Sequence, residues 1–179
     1  MTSVKHMKWW GWGVDGVGFH YEDKPGFAPF VLQAVGLDLL TAERAGEPAF
    51  ADLKVPKSNA TAAFTKTLAG IVGADNVSTD DMLRVIHTYG KSLRDLVRIR
   101  GNMIKRSPDV VVYPADEAEV QQVVDAAVAA NAVIIPFGGG SNIASSLEPL
   151  PEEKRTIISL DLGRLRKVDV APIAGQILD

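Results

Sequence analysis

Ala132-Val133-Ile134-Ile135-Pro136-Phe137-Gly138-Gly139-Gly140-Ser141-Asn142 joins a short apolar run to three consecutive glycines. The β-branched residues of the run predict a buried strand over 132–135. Glycines at its carboxyl end let the backbone approach a ligand closely and turn several N–H groups into one concavity. That arrangement suits a phosphate or pyrophosphate and nominates a nucleotide cofactor. The spacing differs from the dinucleotide fingerprint, since positions 138, 140 and 143 are Gly, Gly and Ile, and no Lys-Ser/Thr pair follows as in a P-loop. Taken alone, the loop also reads as a flexible turn between two strands.

Its surroundings favour the ligand reading. Residues 109–113 contain three consecutive valines and predict a buried strand closed by Pro114. Asp116 then caps a helix, with Glu119 completing a capping box. Val120, Val123, Val124, Ala127 and Val128 fall on one helical stripe, Asn131 terminates it, and the glycine-bearing strand follows. Strand, helix and strand in this order predict a βαβ unit with parallel strands and a right-handed crossover. The glycines then lie at the carboxyl end of a strand, where α/β sheets bind their ligands. Downstream, a polar segment over 148–154 leads to a third strand over 156–160, with Asp161 as a turn.

The first hundred residues are less regular. Glycines and aromatics over 1–30 predict an irregular packed segment, and Trp9-Trp10-Gly11-Trp12 reads as packing in preference to a membrane-interface patch. Helices are predicted over 29–40 and 60–70, with Gly73-Ala74-Asp75-Asn76 breaking the pattern. Ser78, with Asp81 three residues on, caps a helix that Gly90 ends, and Ser92 caps another that Gly101 stops. Lys91, Arg94, Arg98, Arg100, Lys105 and Arg106 form a mostly positive run, read as a solvated face ahead of a phosphate site. Asp80 and Asp81 serve the helix N-terminus and form no catalytic dyad. His6, His20 and His87 show no metal-ligand spacing and read as structural histidines, so neither catalytic nor metal-binding residues are nominated.

Composition bounds the function classes. With 179 residues, 46% hydrophobic and 23% charged, the chain can build one sizeable soluble domain. A net charge of −3 gives no bulk attraction to nucleic acid or anionic membranes. The absence of cysteine excludes disulfides, thiolate metal sites and a cysteine nucleophile. No stretch approaches a transmembrane length or a signal-peptide core, and a cytoplasmic protein is expected.

Pro108-Asp109-Val110-Val111-Val112-Tyr113-Pro114, the capped helix and Val133-Ile134-Ile135-Pro136-Phe137-Gly138-Gly139-Gly140-Ser141 resemble the FAD-binding half-domain of the vanillyl-alcohol oxidase and p-cresol methylhydroxylase (PCMH) superfamily. Met7-Lys8-Trp9-Trp10-Gly11-Trp12-Gly13, residues 90–100 and Arg155-Thr156-Ile157-Ile158-Ser159-Leu160-Asp161 narrow the resemblance to its alkyldihydroxyacetonephosphate synthase (alkylglycerone-phosphate synthase) family. The Trp-rich opening is the more selective of these features.

The resemblance implies an α+β fold. A mainly helical N-terminal segment, 1–106, precedes a truncated, βαβ-containing PCMH-type FAD-binding subdomain, 107–179. It also implies that Pro136, Phe137, Gly138, Gly139, Gly140, Ser141 and Asn142 hold the pyrophosphate of non-covalently bound FAD, largely through backbone N–H groups, with Ser141 adding its hydroxyl. Enzymes of this family exchange the acyl chain of acyl-dihydroxyacetone phosphate for a fatty alcohol in ether-lipid synthesis. Their second group of FAD contacts, cap domain and catalytic tyrosine and histidines have no counterpart in these residues. The resemblance therefore implies half an FAD site, a lipid-like substrate only in a full-length enzyme, and no catalysis by this chain alone. Two positions depart from the family pattern, Ser146 and Pro172, each standing where glycine is usual. Rival readings are another FAD-linked oxidase such as a 2-hydroxy-acid dehydrogenase, a flavin reductase of peptidoglycan precursor synthesis, and a non-catalytic partner that forms homo-oligomers or joins a full-length relative.

Overall fold

β-Branched residues build the sheet. Val110–Val112 (β2), Val133–Phe137 (β3) and Ile157–Asp161 (β4) run parallel, and the two-residue Val77–Ser78 (β1) pairs antiparallel with β2. The helices are Phe27–Val35 (α1), Ala62–Val72 (α2), Asp81–Ile86 (α3), Leu93–Arg100 (α4) and Glu117–Ala129 (α5). The computed structural model describes residues 4–14, 16–17, 20–42 and 46–167.

The sheet order is β1-β2-β4-β3. The expected strand–helix–strand unit is therefore present with parallel strands, but its crossover skips one place and β4 lies between β2 and β3. The physical reason is burial. All five residues of β4 are buried, as a central parallel strand requires, whereas β3 is half-buried and carries the exposed Pro136, which lacks a ladder N–H and suits an edge. Asp161, expected in a turn, instead pairs with Phe137 as the last residue of β4.

Strand alternation assigns two cores. Val110, Val112, Ile158 and Leu160 face Leu68 and Val72 of α2 and Val123 and Ala127 of α5. Val128 was expected on the α5 stripe but is 76% exposed, so the stripe is narrower than its periodicity implied. Phe137 belongs to the second core with Trp9, Val85, Ile86, Tyr89, Ile99, Ile104 and Leu147. Trp9 packs edge-on to Phe50 at 5.4 Å, in line with the packing reading of the opening, while Trp12 is exposed and donates its indole N–H to the Lys91 carbonyl.

Cap chemistry sets most helix boundaries. Thr61, Ser92 and Asp116 accept from the backbone N–H three residues on, and Ser92 with Asp95 forms a full capping box. Glu119 reaches back to the Ala115 N–H, one residue beyond the box expected with Asp116. Ser78 does not cap: it lies in β1, and Asp80 accepts from Leu83 N at 3.0 Å. The helix from Asp81 stops at Ile86, short of Gly90, and α1 stops at Gly36 in a left-handed conformation (φ 72°) rather than continuing to residue 40.

Two buried arginines bind the layers together. Arg84 donates to the carbonyls of Pro108 and Pro56 and pairs with Asp81, and Arg106 forms a bidentate pair with Asp109, whose carboxylate also accepts from Asn59 N and Ile157 N. Among the described residues no helix is long and apolar enough to cross a membrane.

Candidate cofactor site

Backbone constraints shape the glycine loop. Pro136 and Phe137 belong to β3, with Phe137 buried and its carbonyl accepting from Leu162 N at 2.9 Å. The chain leaves the sheet at Gly138. A Cβ built on Gly138 or Gly139 meets no protein atom within 4 Å, and both residues are exposed. Gly140 adopts φ 71°, and a Cβ there would come within 2.7 Å of the Phe137 ring. Ser141 is exposed.

Asn142 anchors the far end of the loop. Its carbonyl accepts from Lys91 N at 2.8 Å, and its backbone presses so closely on Gly90 that a Cβ there would stand 1.7 Å from the Asn142 oxygen. Gly90 is therefore a contact point for the loop, and the Trp12 bond to Lys91 braces the same turn. Ser146 exchanges hydrogen bonds with the Asn142 carboxamide, and the left-handed conformation of this stretch falls on Ser145 (φ 62°). A side chain at 146 is thus used in this chain. Pro172 and residues 168–179 around it lie outside the described residues.

Gly138 and Gly139 line a cavity of about 360 Å³ together with Gly163, Val4, Lys5 and Arg166. Gly163 is fixed by its N–H to Asp161 Oδ1 at 2.7 Å, and a Cβ there would collide with Val4 and Asp161. Arg166 donates to the Gly163 carbonyl at 3.2 Å. Lys5 and Arg166 are both exposed, so two cations flank three side-chain-free backbone positions. Residue composition and close backbone access fit an anionic pyrophosphate. A larger cavity of about 600 Å³ is lined by Asp75, Asp80, His6 and Tyr113 among others, with no lysine or arginine, and fits such an anion poorly.

The positive run is otherwise engaged. Lys91 is buried, donates to the Lys8 carbonyl at 2.6 Å, and has its ammonium pushed down to about 8 by burial, against the pull of Asp95. Arg98 grips Glu148 and stacks over Tyr89, 4.2 Å from the ring centre, and its hydrogen bond holds Glu148 below the usual carboxylate range. Arg100 donates to the Trp10 carbonyl. A solvated face was expected, but internal partners take up four of these cations, Lys91, Arg98, Arg100 and Arg106.

Three residues without local spacing converge beside the loop. His87 places Nδ1 2.7 Å from the Leu83 carbonyl and Nε2 2.9 Å from Asp161 Oδ2, with Phe137 stacked 4.0 Å away. His6 Nδ1 lies 3.7 Å from the same carboxylate oxygen, and His6 Nε2 lies 3.2 Å from the Tyr113 hydroxyl. Burial, then the neighbouring His87, lowers the His6 pKa against the pull of Asp161, and burial raises that of Tyr113. His20 is exposed. Reading the histidines one at a time gave no sign of this cluster, because 81 and 74 residues separate its members.

The FAD binding domain family matches residues 108–177. Alkyldihydroxyacetonephosphate synthase of Dictyostelium discoideum is 43% identical over 105 residues, covering 59% of this chain and 17% of that protein. The synthase of Trypanosoma brucei brucei is 30% identical over 187 aligned positions, covering 93% of this chain and 30% of its own. Protein Rv2250A of Mycobacterium tuberculosis is 32% identical over 60% of this chain and 69% of its own length. A solved alkyldihydroxyacetonephosphate synthase superposes with TM-score 0.78 at 30% identity, covering 91% of this chain and 34% of that one. The chain thus spans between 17% and 30% of the length of these two synthase sequences.

Proposed function

We propose that residues 136–142 of this alkyldihydroxyacetonephosphate synthase-like chain, which carries a match to the FAD binding domain family, hold the pyrophosphate of FAD. The observation that carries this reading is the cavity where Gly138, Gly139 and Gly163 expose backbone between Lys5 and Arg166. Lys5 and Arg166 were not nominated from the sequence and join the site here. Phe137 acts from behind, as the buried last residue of β3 against which Gly140 turns, and Asn142 acts through its anchorage to Lys91. FAD, when bound, supplies the electron-accepting flavin ring.

The exposed loop residues bring backbone N–H groups and a hydroxyl at Ser141, neither of which is a strong acid or base at neutral pH. Their work is binding and orientation. Exchange of the acyl chain of acyl-dihydroxyacetone phosphate for a fatty alcohol is the reaction this half-site serves in our reading, with catalytic groups and lipid-like substrate supplied by a full-length enzyme. Fluorescence titration with FAD tests the cofactor assignment. Replacing Lys5 and Arg166 together by alanine is expected to weaken FAD at least about tenfold, since each removes a charge-assisted contact. Unchanged affinity in a folded double variant would defeat the assignment.

The position of β3 favours association as a second property. Among the described residues β3 is a sheet edge, which leaves ladder groups for a strand from a longer relative or a second copy. Light scattering that finds only monomers, alone and mixed with a full-length relative, would remove that reading.

A further inference from the structure

His6, His87 and Asp161 reach one point from three segments: the N-terminal strap, the residue after α3, and the last residue of β4. Their nitrogen and oxygen donors all lie within 4.8 Å of one another. The side chains of His87 and Asp161 have no solvent exposure and that of His6 only 10%.

Hydrogen-bond bookkeeping exposes an unusual contact. The Leu83 carbonyl can only accept, so the 2.7 Å approach of His87 Nδ1 assigns that nitrogen its proton. In the neutral imidazole, Nε2 is then a lone-pair acceptor, and it faces another acceptor, Asp161 Oδ2, at 2.9 Å. Two acceptors at that separation need a positive centre between them. A proton is one candidate and a metal ion is the other.

Three features favour the metal. A third donor, His6 Nδ1, is aimed at the same Oδ2 from 3.7 Å. Each ligand is held from its far side: His87 by the Leu83 carbonyl, Asp161 Oδ1 by Gly163 N at 2.7 Å, and His6 Nε2 by the Tyr113 hydroxyl at 3.2 Å. Such outer partners are the usual way that metal-binding imidazoles and carboxylates are oriented. Finally, His6 and Tyr113 line the 600 Å³ cavity that also carries Asp75 and Asp80, which gives a cation an entry path and room for a water ligand.

We propose that His6 Nδ1, His87 Nε2 and Asp161 Oδ2 form a binding site for one divalent transition-metal ion, with zinc the best match to two imidazoles and a carboxylate. The ion ties the N-terminal strap to the end of β4. Through Asp161 it stiffens the Gly163 wall of the glycine cavity, and through the Phe137 ring it supports the turn at Gly140. The site stands whether or not that cavity holds FAD.

Zinc titration of the tag-free, chelator-stripped 179-residue chain by calorimetry is the test, with Co²⁺ substitution as a spectroscopic probe. One equivalent of zinc, a zinc-dependent rise in melting temperature and visible d–d bands with Co²⁺ are expected. His6→Gln, a change on the strap, should keep the metal-free melting temperature near that of the unaltered chain while weakening zinc at least about tenfold. Absence of saturable heat and of any zinc-dependent melting shift in the unaltered chain would overturn the proposal, leaving the bridge to a proton. Undiminished zinc binding in folded His6→Gln would overturn it as well, by locating the metal elsewhere. Should His6→Gln fail to fold, a Co²⁺ spectrum of the unaltered chain without tetrahedral bands is the overturning result.

Discussion

Gly90→Ala places a methyl group against the anchor of the glycine loop. Its Cβ would lie 1.7 Å from the Asn142 oxygen and 2.6 Å from the carbonyl carbon, both backbone atoms that no rotamer change can move. Restoring an ordinary contact requires Asn142 to retreat by well over an ångström. That retreat breaks the 2.8 Å bond from Lys91 N, leaving a buried donor unpaired at a cost of about 1–3 kcal/mol, and overpacking adds about 1–3 kcal/mol. Reduced freedom of the unfolded chain returns only about 0.4–1 kcal/mol. A net loss of about 2–4 kcal/mol corresponds to a fall in melting temperature of roughly 5–15 °C for a chain of this size. Displacement of the loop also spoils the alignment of the Gly138 and Gly139 N–H groups, so FAD affinity should fall at least about tenfold. Gly138→Ala is the matched control. Its Cβ points into open space, so its melting temperature should stay within about 1 °C while its FAD affinity drops. Differential scanning calorimetry and FAD fluorescence titration read both quantities. Native-like stability and affinity in Gly90→Ala would refute the claim that Gly90 supports the loop.

Other perturbations separate the remaining parts of the account. Asp109→Asn breaks the buried pair with Arg106, and an unfolding free energy lower by about 3–5 kcal/mol is expected in chemical denaturation. Lys91 titrates near 8 when folded and near 10.5 when unfolded, so the unfolded chain binds more protons between those values. Its contribution to stability therefore rises as pH increases through that window, by an amount on the order of 1–3 kcal/mol, and Lys91→Met should lack that rise. Val128→Lys changes an exposed position on α5 and should alter the melting temperature by no more than about 1 °C.

Local chemistry was legible in the sequence where it acts over a few residues. Ser92 and Asp116 were read as helix starts because caps work over three positions, and the valine run and glycine loop were read from composition alone. Sheet order was not, since β4 enters the centre only because its five residues are buried, a property of the packed molecule. Ser78 misled for a related reason: pairing with Val111 in β1 outweighed its capping propensity. Most of the positive run looked solvated because the partners of Lys91, Arg98 and Arg100 are remote carbonyls or the distant carboxylate of Glu148, invisible to neighbour spacing. Gly90 was seen as a helix stop, although its closest neighbour is 52 residues away in the glycine loop. Lys5, Gly163 and Arg166 carried no signal that could join them to Gly138 before the chain folded.

The most direct test of the central claim is a backbone amide NMR titration of the chain with FAD. The account predicts that the largest shifts fall on Gly138, Gly139, Gly140 and Ser141, with Lys5, Gly163 and Arg166 responding in parallel. Shifts confined to the acidic cavity around Asp75 and Asp80, or none at the glycine loop under saturating FAD, would contradict it.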